Sequence, residues 1–244
     1  MIVRNTILRA GVAALLILGA AICAVAQNDG PQKQNRRADE TAKEATTPEK
    51  SAPADDAVYT YEFSQPAFYV RHVKVRHDSQ GRGEVTFERQ EDVEPVVEPL
   101  ELSETSRARI NGLWEALRFL DSTASYQAER DYSHLGTVRL TMTRGGRTRE
   151  AEFNWTTDQN AKALADEYRR VHNQVLFVFD VALARQVQPL SSPKLMDRLD
   201  KYLRLNELTD PQQLVPLLRE LSNDERLPLM TRNHAGRILK KLEK

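Results

Sequence analysis

Between Leu102 and Asp121, LSETSRARINGLWEALRFLD, apolar side chains recur with the period of a helix. Ile110, Leu113, Trp114, Leu117 and Leu120 form one stripe, while Arg107, Arg109, Glu115 and Arg118 fall largely off it. Ser103 is placed to cap this helix, and Glu104 sits near the positive end of its dipole. An apolar stripe must cover something, and the flanking segments supply a sheet. Upstream, Tyr59, Tyr61 and Phe63 alternate, and Phe68 to Arg76 is rich in β-formers. The polar stretch Asp78 to Gly83 predicts a turn into Val85-Thr86-Phe87-Glu88. If Arg76 pairs with Glu84, Val75 faces Val85 and Val73 faces Phe87 on one side. Lys74 then meets Thr86, and His72 meets Glu88, on the other. One register therefore yields an apolar face and a charge-complementary face together.

Downstream of the helix, Gly145-Gly146 predicts a two-residue hairpin turn. Pairing Arg144 with Arg147 sets Leu140 against Ala151 and Val138 against Phe153, with Arg139 opposite Glu152 and Thr141 opposite Glu150. The acidic run Glu91 to Glu101, broken by Pro95 and Pro99, reads as an extended crossing into the Ser103 helix. A second, long helix is expected from a cap at Thr157 or Asp158 to about Val187, before Pro189. Ala161, Leu164, Ala165, Tyr168, Val171, Val175, Leu176 and Phe179 hold its stripe. Around Leu176-Phe177-Val178-Phe179 it is apolar nearly all round, which predicts burial from more than one side. The order hairpin, helix, hairpin, helix predicts an α+β domain: an antiparallel sheet from two hairpins with helices on one face, followed by an all-helical C-terminal extension.

In that extension, Ser192-Pro193 and Asp210-Pro211 each read as an N-cap followed by Pro at the first helical position. Pro211, Leu214, Leu217, Leu218 and Leu221 lie on a first helix, Asp224 in a turn, and Arg232, Ala235, Leu239 and Leu242 on a second. The stretch 210–242 resembles a single HEAT-type helical hairpin. The resemblance implies a helix pair that either caps the long helix or offers its groove to a partner, and the cap is the expectation taken forward. The Val58 to Val187 domain resembles no characterised family.

The N-terminus changes the picture. Arg4 and Arg9 precede an apolar or small run from Ala10 to Ala26 that ends Ala24-Val25-Ala26. That order predicts a secretory signal peptide cut after Ala26, the alternative being a retained membrane anchor. Cys23 follows Ile22, where a lipobox requires a small residue. From Gln27 to Ala57 the only apolar side chains are alanines, which predicts a disordered linker. The expected organisation is thus a signal peptide at 1–26, a linker at 27–57, the α+β domain at 58–188 and the helical extension at 189–244. Export to the periplasm or beyond follows. Cys23 is the one cysteine, so the exported chain contains none, which excludes thiol enzymes, disulfide exchangers and cysteine zinc sites. With 35 Lys and Arg against 35 Asp and Glu, overall charge recruits neither nucleic acid nor an anionic membrane.

Candidate chemistry is sparse. His72 and His77 point to opposite faces of one strand, and His172 and His234 lack a carboxylate at helical ligand spacing, so no metal and no cofactor are expected. Asp131-Tyr132-Ser133-His134 is the densest titratable cluster in an irregular segment, and Asp131 with His134 is the candidate acid–base pair. In the alternative reading Tyr132 anchors the loop and the polar residues make turn bonds. Arg144, Arg147 and Arg149 crowd the Gly145-Gly146 tip as a candidate anion fork, or as charges that discourage edge pairing. By elimination, the expected protein is an exported, non-catalytic binding or envelope-support protein, with another envelope protein as its partner. The alternatives are a hydrolase-like enzyme using the 131–134 loop and a carrier of an apolar ligand held between helix and sheet. A pocket of ligand size would favour those two.

Overall fold

The structure, a computed structural model, describes residues 56–244. The expected signal peptide and nearly all of the expected linker lie outside the described residues. Strands β1 (Val58–Ser64), β2 (Val70–Asp78), β3 (Arg82–Arg89) and β4 (Val96–Glu101) precede helix α1 (Glu104–Ala116). Then come β5 (Thr137–Arg144), β6 (Arg147–Phe153) and the long helix α2 (Gln159–Val187). Helices α3 (Ser192–Leu205), α4 (Val215–Asn223) and α5 (Leu229–Leu242) complete the chain. Among the described residues the sheet has six strands in the order β4-β3-β2-β1-β5-β6, each neighbour antiparallel. The fold is α+β. Both hairpins adopt the expected registers, Arg76 opposite Glu84 in the first and Arg144 opposite Arg147 in the second. Gly145 and Gly146 both take positive φ, +56° and +74°, as a tight turn between twisted strands requires.

The acidic crossing is itself a strand. In β4, Val96, Glu98 and Leu100 turn toward the helices while Val97, Pro99 and Glu101 turn to solvent. Pro99 is tolerated because β4 is an edge strand, where a missing N–H costs no ladder bond on its open side. The sheet is therefore wider than two hairpins, with β1 at its centre bonded to β2 and β5.

Helix α1 starts at the expected cap, the Ser103 side chain accepting from the Ser106 N–H at 3.2 Å. It stops at Ala116 rather than Asp121, because Arg118 takes a left-handed conformation (φ +45°) that turns Phe119 back into the core. Asp158 caps α2, accepting from the N–H groups of Asn160 and Ala161 at 2.9 Å each. In α3 the N-cap is Ser191, not Ser192. The Ser192 hydroxyl is buried instead against Thr231 Oγ1 at 2.8 Å, joining α3 to α5.

Two apolar clusters meet on α2. The first, between one sheet face and α1 and α2, contains Val75, Val85, Phe87, Ile110, Trp114 and Tyr168. The second packs Phe177 and Val181 of α2 against Met196, Leu199, Leu218 and Ile238 of the extension. Leu176 and Phe177 thus face different clusters, while Val178, next along the helix, remains exposed. The extension is fastened by ion pairs from α2, Asp180 to Arg198 and Arg185 to Asp224. The other sheet face is open and carries a charge ladder in which Glu62 bridges Lys74 and Arg139. Among the described residues no helix is long and apolar enough to cross a membrane.

Candidate ligand-binding cleft

At the Ser64 end of β1 the sheet and α2 diverge, and a cleft of about 1020 Å³ opens between them. Its walls are aromatic. Tyr61 and Phe63 continue the core face of β1. Phe68 and Tyr69 come from the β1–β2 connection, Leu135 from the turn before β5, and Trp155 from the loop after β6. Phe68, Tyr69, Leu135 and Trp155 are each at least 40 % exposed. A contiguous group of exposed large apolar side chains is uncommon in a soluble domain and marks a surface that something covers.

These segments are held by specific bonds. Gln65 is buried between the β1–β2 connection and the turn before β5, its Nε2 donating to the carbonyls of Ser133 (3.1 Å) and His134 (2.8 Å). Gly136 follows with φ +94°, and a Cβ there would lie 2.6 Å from the Phe63 ring, so only glycine lets the chain pass this close to the cleft wall. Asn154 fixes the far side: its N–H donates to Gln127 Oε1 at 2.9 Å and its Oδ1 accepts from the Tyr132 N–H at 3.1 Å. Tyr132 in turn packs edge-on against Trp155, with centroids 5.4 Å apart.

Helix α2 forms the opposite wall with two stripes. Ala165 and His172 line the interior, and the small alanine is what leaves the space. Lys162, Asp166 and Arg169 line the rim, the Asp166 carboxylate accepting from both cations at 2.6 Å. The His172 ring stacks on Tyr61, centroids 6.5 Å apart, and its Nδ1 is sealed off without a hydrogen-bond partner. Burial, aided by the Arg169 charge, pushes its pKa down to about 3, so the ring is neutral.

A second depressed histidine, His77, lies in the core and packs against Tyr59 and Tyr168. His77 Nδ1 approaches the Asp78 carbonyl at 2.7 Å and must be the protonated nitrogen, which leaves Nε2 to accept from the Tyr168 hydroxyl at 2.8 Å. Tyr168 accepts in turn from Trp114 Nε1 at 2.9 Å. Burial lowers the His77 pKa, and protonating Nε2 would also strip the Tyr168 proton of its acceptor. Both histidines are neutral when folded and titrate near 6.5 when unfolded, so the unfolded chain binds more protons once the pH falls below 6.5. Stability is therefore full above that pH and declines below it. His172 alone accounts for up to about 2 kcal/mol lost by pH 5, less whatever solvation its cleft-facing edge retains. Urea midpoints should fall from pH 7.5 to 5, and His172→Gln should flatten that slope. A midpoint independent of pH over this range would show that both rings are solvated.

The candidates read from the sequence fall elsewhere. Asp131 accepts from the Ser133 N–H at 2.8 Å, a turn bond, and from the side-chain amide of Asn154 in the loop after β6. It borders a polar recess of about 320 Å³ with Gln127, Glu129 and Glu152. His134 lines neither that recess nor the aromatic cleft; it lies against Tyr132, and no hydrogen bond joins it to Asp131. At the β5–β6 tip, Arg147 donates to the Leu120 carbonyl (2.7 Å) and to Asp121 (2.8 Å). Arg149 donates to the carbonyls of Phe119 and Ala124 at 2.6 Å each and lies 4.5 Å above the Phe119 ring. These two guanidinium groups fasten the hairpin to the chain after α1 instead of opening toward a ligand, and Arg144 stands at the turn itself. Among the described residues no group of three His, Asp or Glu is placed to hold a metal ion.

Sequence reasoning offered a carrier with its ligand between helix and sheet as an alternative but did not name the residues that line this cleft. Its one signal was Phe68-Tyr69, adjacent aromatics after Gln65-Pro66, which cannot both face the core of an alternating strand. No protein-family model matches the chain, and no curated protein matches it.

Proposed function

We propose that this chain is an exported, non-catalytic binding protein that holds an apolar ligand in the cleft between β1, β5 and α2. The observation that carries the reading is the aromatic lining, exposed at the surface yet fixed in place by Gln65, Gly136 and Asn154. Its volume lies at the upper end of the range of a few hundred to about a thousand Å³ usual for ligand sites. Among the described residues the titratable groups lining it are Tyr61, Tyr69, Lys162, Asp166, Arg169 and the neutral His172, and Asp166 is paired with Lys162 and Arg169. The Asp131 to His134 loop enters the reading only as a support for Trp155. The HEAT-like pair α4 and α5 acts in it as the cap of the second core.

Ala165→Trp tests this directly. The larger side chain would fill the space that Ala165, half-buried at the edge of the first core, leaves on the cleft wall. The purified chain should bind the apolar dye N-phenylnaphthylamine saturably, with increased dye emission, and Ala165→Trp should weaken binding at least about tenfold with no loss of melting temperature. Equal dye binding by the two proteins would place the apolar site elsewhere.

A further inference from the structure

Resting on that reading of the cleft, we infer that its ligand is a single-chain amphiphile with an anionic head, a long-chain carboxylate, whose head is held by Lys162 and Arg169. The charged side chains lining the cleft are Lys162, Asp166 and Arg169, two cations against one carboxylate. Both oxygens of Asp166 are engaged: Oδ2 accepts from Lys162 and Oδ1 from Arg169. The cations are engaged only in part. An ammonium carries three donors and a guanidinium five, and each of these two spends one on Asp166. The rim is therefore net positive, and its unused donors outnumber the acceptor sites left on its one carboxylate, each oxygen of which is already paired with a cation. A head that only accepts hydrogen bonds and carries negative charge complements it, whereas a cationic or donor-only head does not.

The interior suits the rest of such a molecule. From Lys162 to Asn173 the α2 wall runs about 16 Å at 1.5 Å per residue, a length matched by an extended alkyl chain. Phe63, Phe68 and Trp155 face that wall, and His172, neutral and stacked on Tyr61, adds no charge to the interior. Lys162 and Arg169 are more than half exposed on the helix surface, so replacing them alters the rim and leaves the core intact.

The test is displacement of N-phenylnaphthylamine from the purified chain by laurate, dodecanol and dodecyltrimethylammonium, each kept below micelle formation. Laurate should displace the dye at least tenfold more effectively than dodecanol, and the ammonium should be weakest. Lys162→Gln with Arg169→Gln should reduce laurate to the level of dodecanol without changing dodecanol. Asp166→Asn, which frees both cations, should tighten laurate several-fold and leave dodecanol alone, a gain that loss of structure would not produce. Equal displacement by laurate and dodecanol in the unmodified chain would overturn the anionic head and leave the apolar cleft standing. Failure of the chain to bind dye or any of the three amphiphiles would overturn the cleft reading as well.

Discussion

Trp114→Ala should destabilise the protein by about 3–5 kcal/mol, the range for removing a large aromatic from a packed core. Trp114 is 2 % exposed and lies at the centre of the first cluster. Its ring meets Phe119 edge-on at 4.8 Å and Tyr59 at 5.4 Å, so the cavity would be lined by rigid side chains with little freedom to collapse. The indole N–H carries a separate part of the effect, since it donates to the Tyr168 hydroxyl that in turn serves His77. Trp114→Phe keeps most of the apolar area and removes that donor with a small part of the ring volume, and should cost about 1–2 kcal/mol. Urea unfolding of the two variants separates packing from hydrogen bonding. Equal losses would mean that the indole N–H carries most of the effect and the ring very little.

What could be read along the chain was whatever two independent local signals agreed on. The hairpin registers are of this kind. In each, turn chemistry and the alternation of apolar and charged positions select the same pairing, and a slip of one residue would put Val73, Val75 and Phe87 on the charged face. The caps at Ser103 and Asp158 were legible because a short polar side chain directly precedes an apolar stripe. The edge strand β4 was not, because Pro99 and Glu101 on its outward positions and Glu98 within the inward series Val96, Glu98 and Leu100 obscure the apolar alternation. Nor was the early end of α1, which depends on a left-handed Arg118 that local preference disfavours and the burial of Phe119 imposes.

The cleft was illegible for a different reason. Its walls come from the β1–β2 connection, the turn before β5, the loop after β6 and α2, segments brought together only once β5 pairs with β1. The arginines, by contrast, were visible as a cluster, but their partners were not. Arg147 and Arg149 find backbone carbonyls of residues 119–124, partners that a list of side-chain charges does not display. The proposed site rests on tertiary proximity of unremarkable residue types, and no spacing along the chain encodes that.

Glu167 carries the second large effect, and it too was invisible in the sequence, where Arg109 and Glu167 look like ordinary helix-surface charges. The Glu167 side chain is 3 % exposed and lies where α1, α2 and the segment between α3 and α4 converge. Its Oε1 accepts from Arg109 Nη2 at 2.9 Å and from Thr209 Oγ1 at 2.8 Å, and its Oε2 accepts from Arg170 Nη1 at 2.6 Å. Breaking a fully buried pair costs about 3–5 kcal/mol because the abandoned charge stays in a poor solvent. Here the two guanidinium groups are 42 % and 32 % exposed and can recover water, while Thr209 keeps Ser106 as a partner at 2.9 Å. Glu167→Ala should therefore cost about 2–4 kcal/mol, below the limit for a sealed pair. Arg109→Ala should cost less than Glu167→Ala, since Arg170 and Thr209 still serve the carboxylate. In a double-mutant cycle the two losses should fall short of additive by about 1 kcal/mol or more, because the second substitution removes a contact already lost. Additive losses would show that Arg109 and Glu167 act independently, and that the joint between α1 and α2 is held by apolar packing alone.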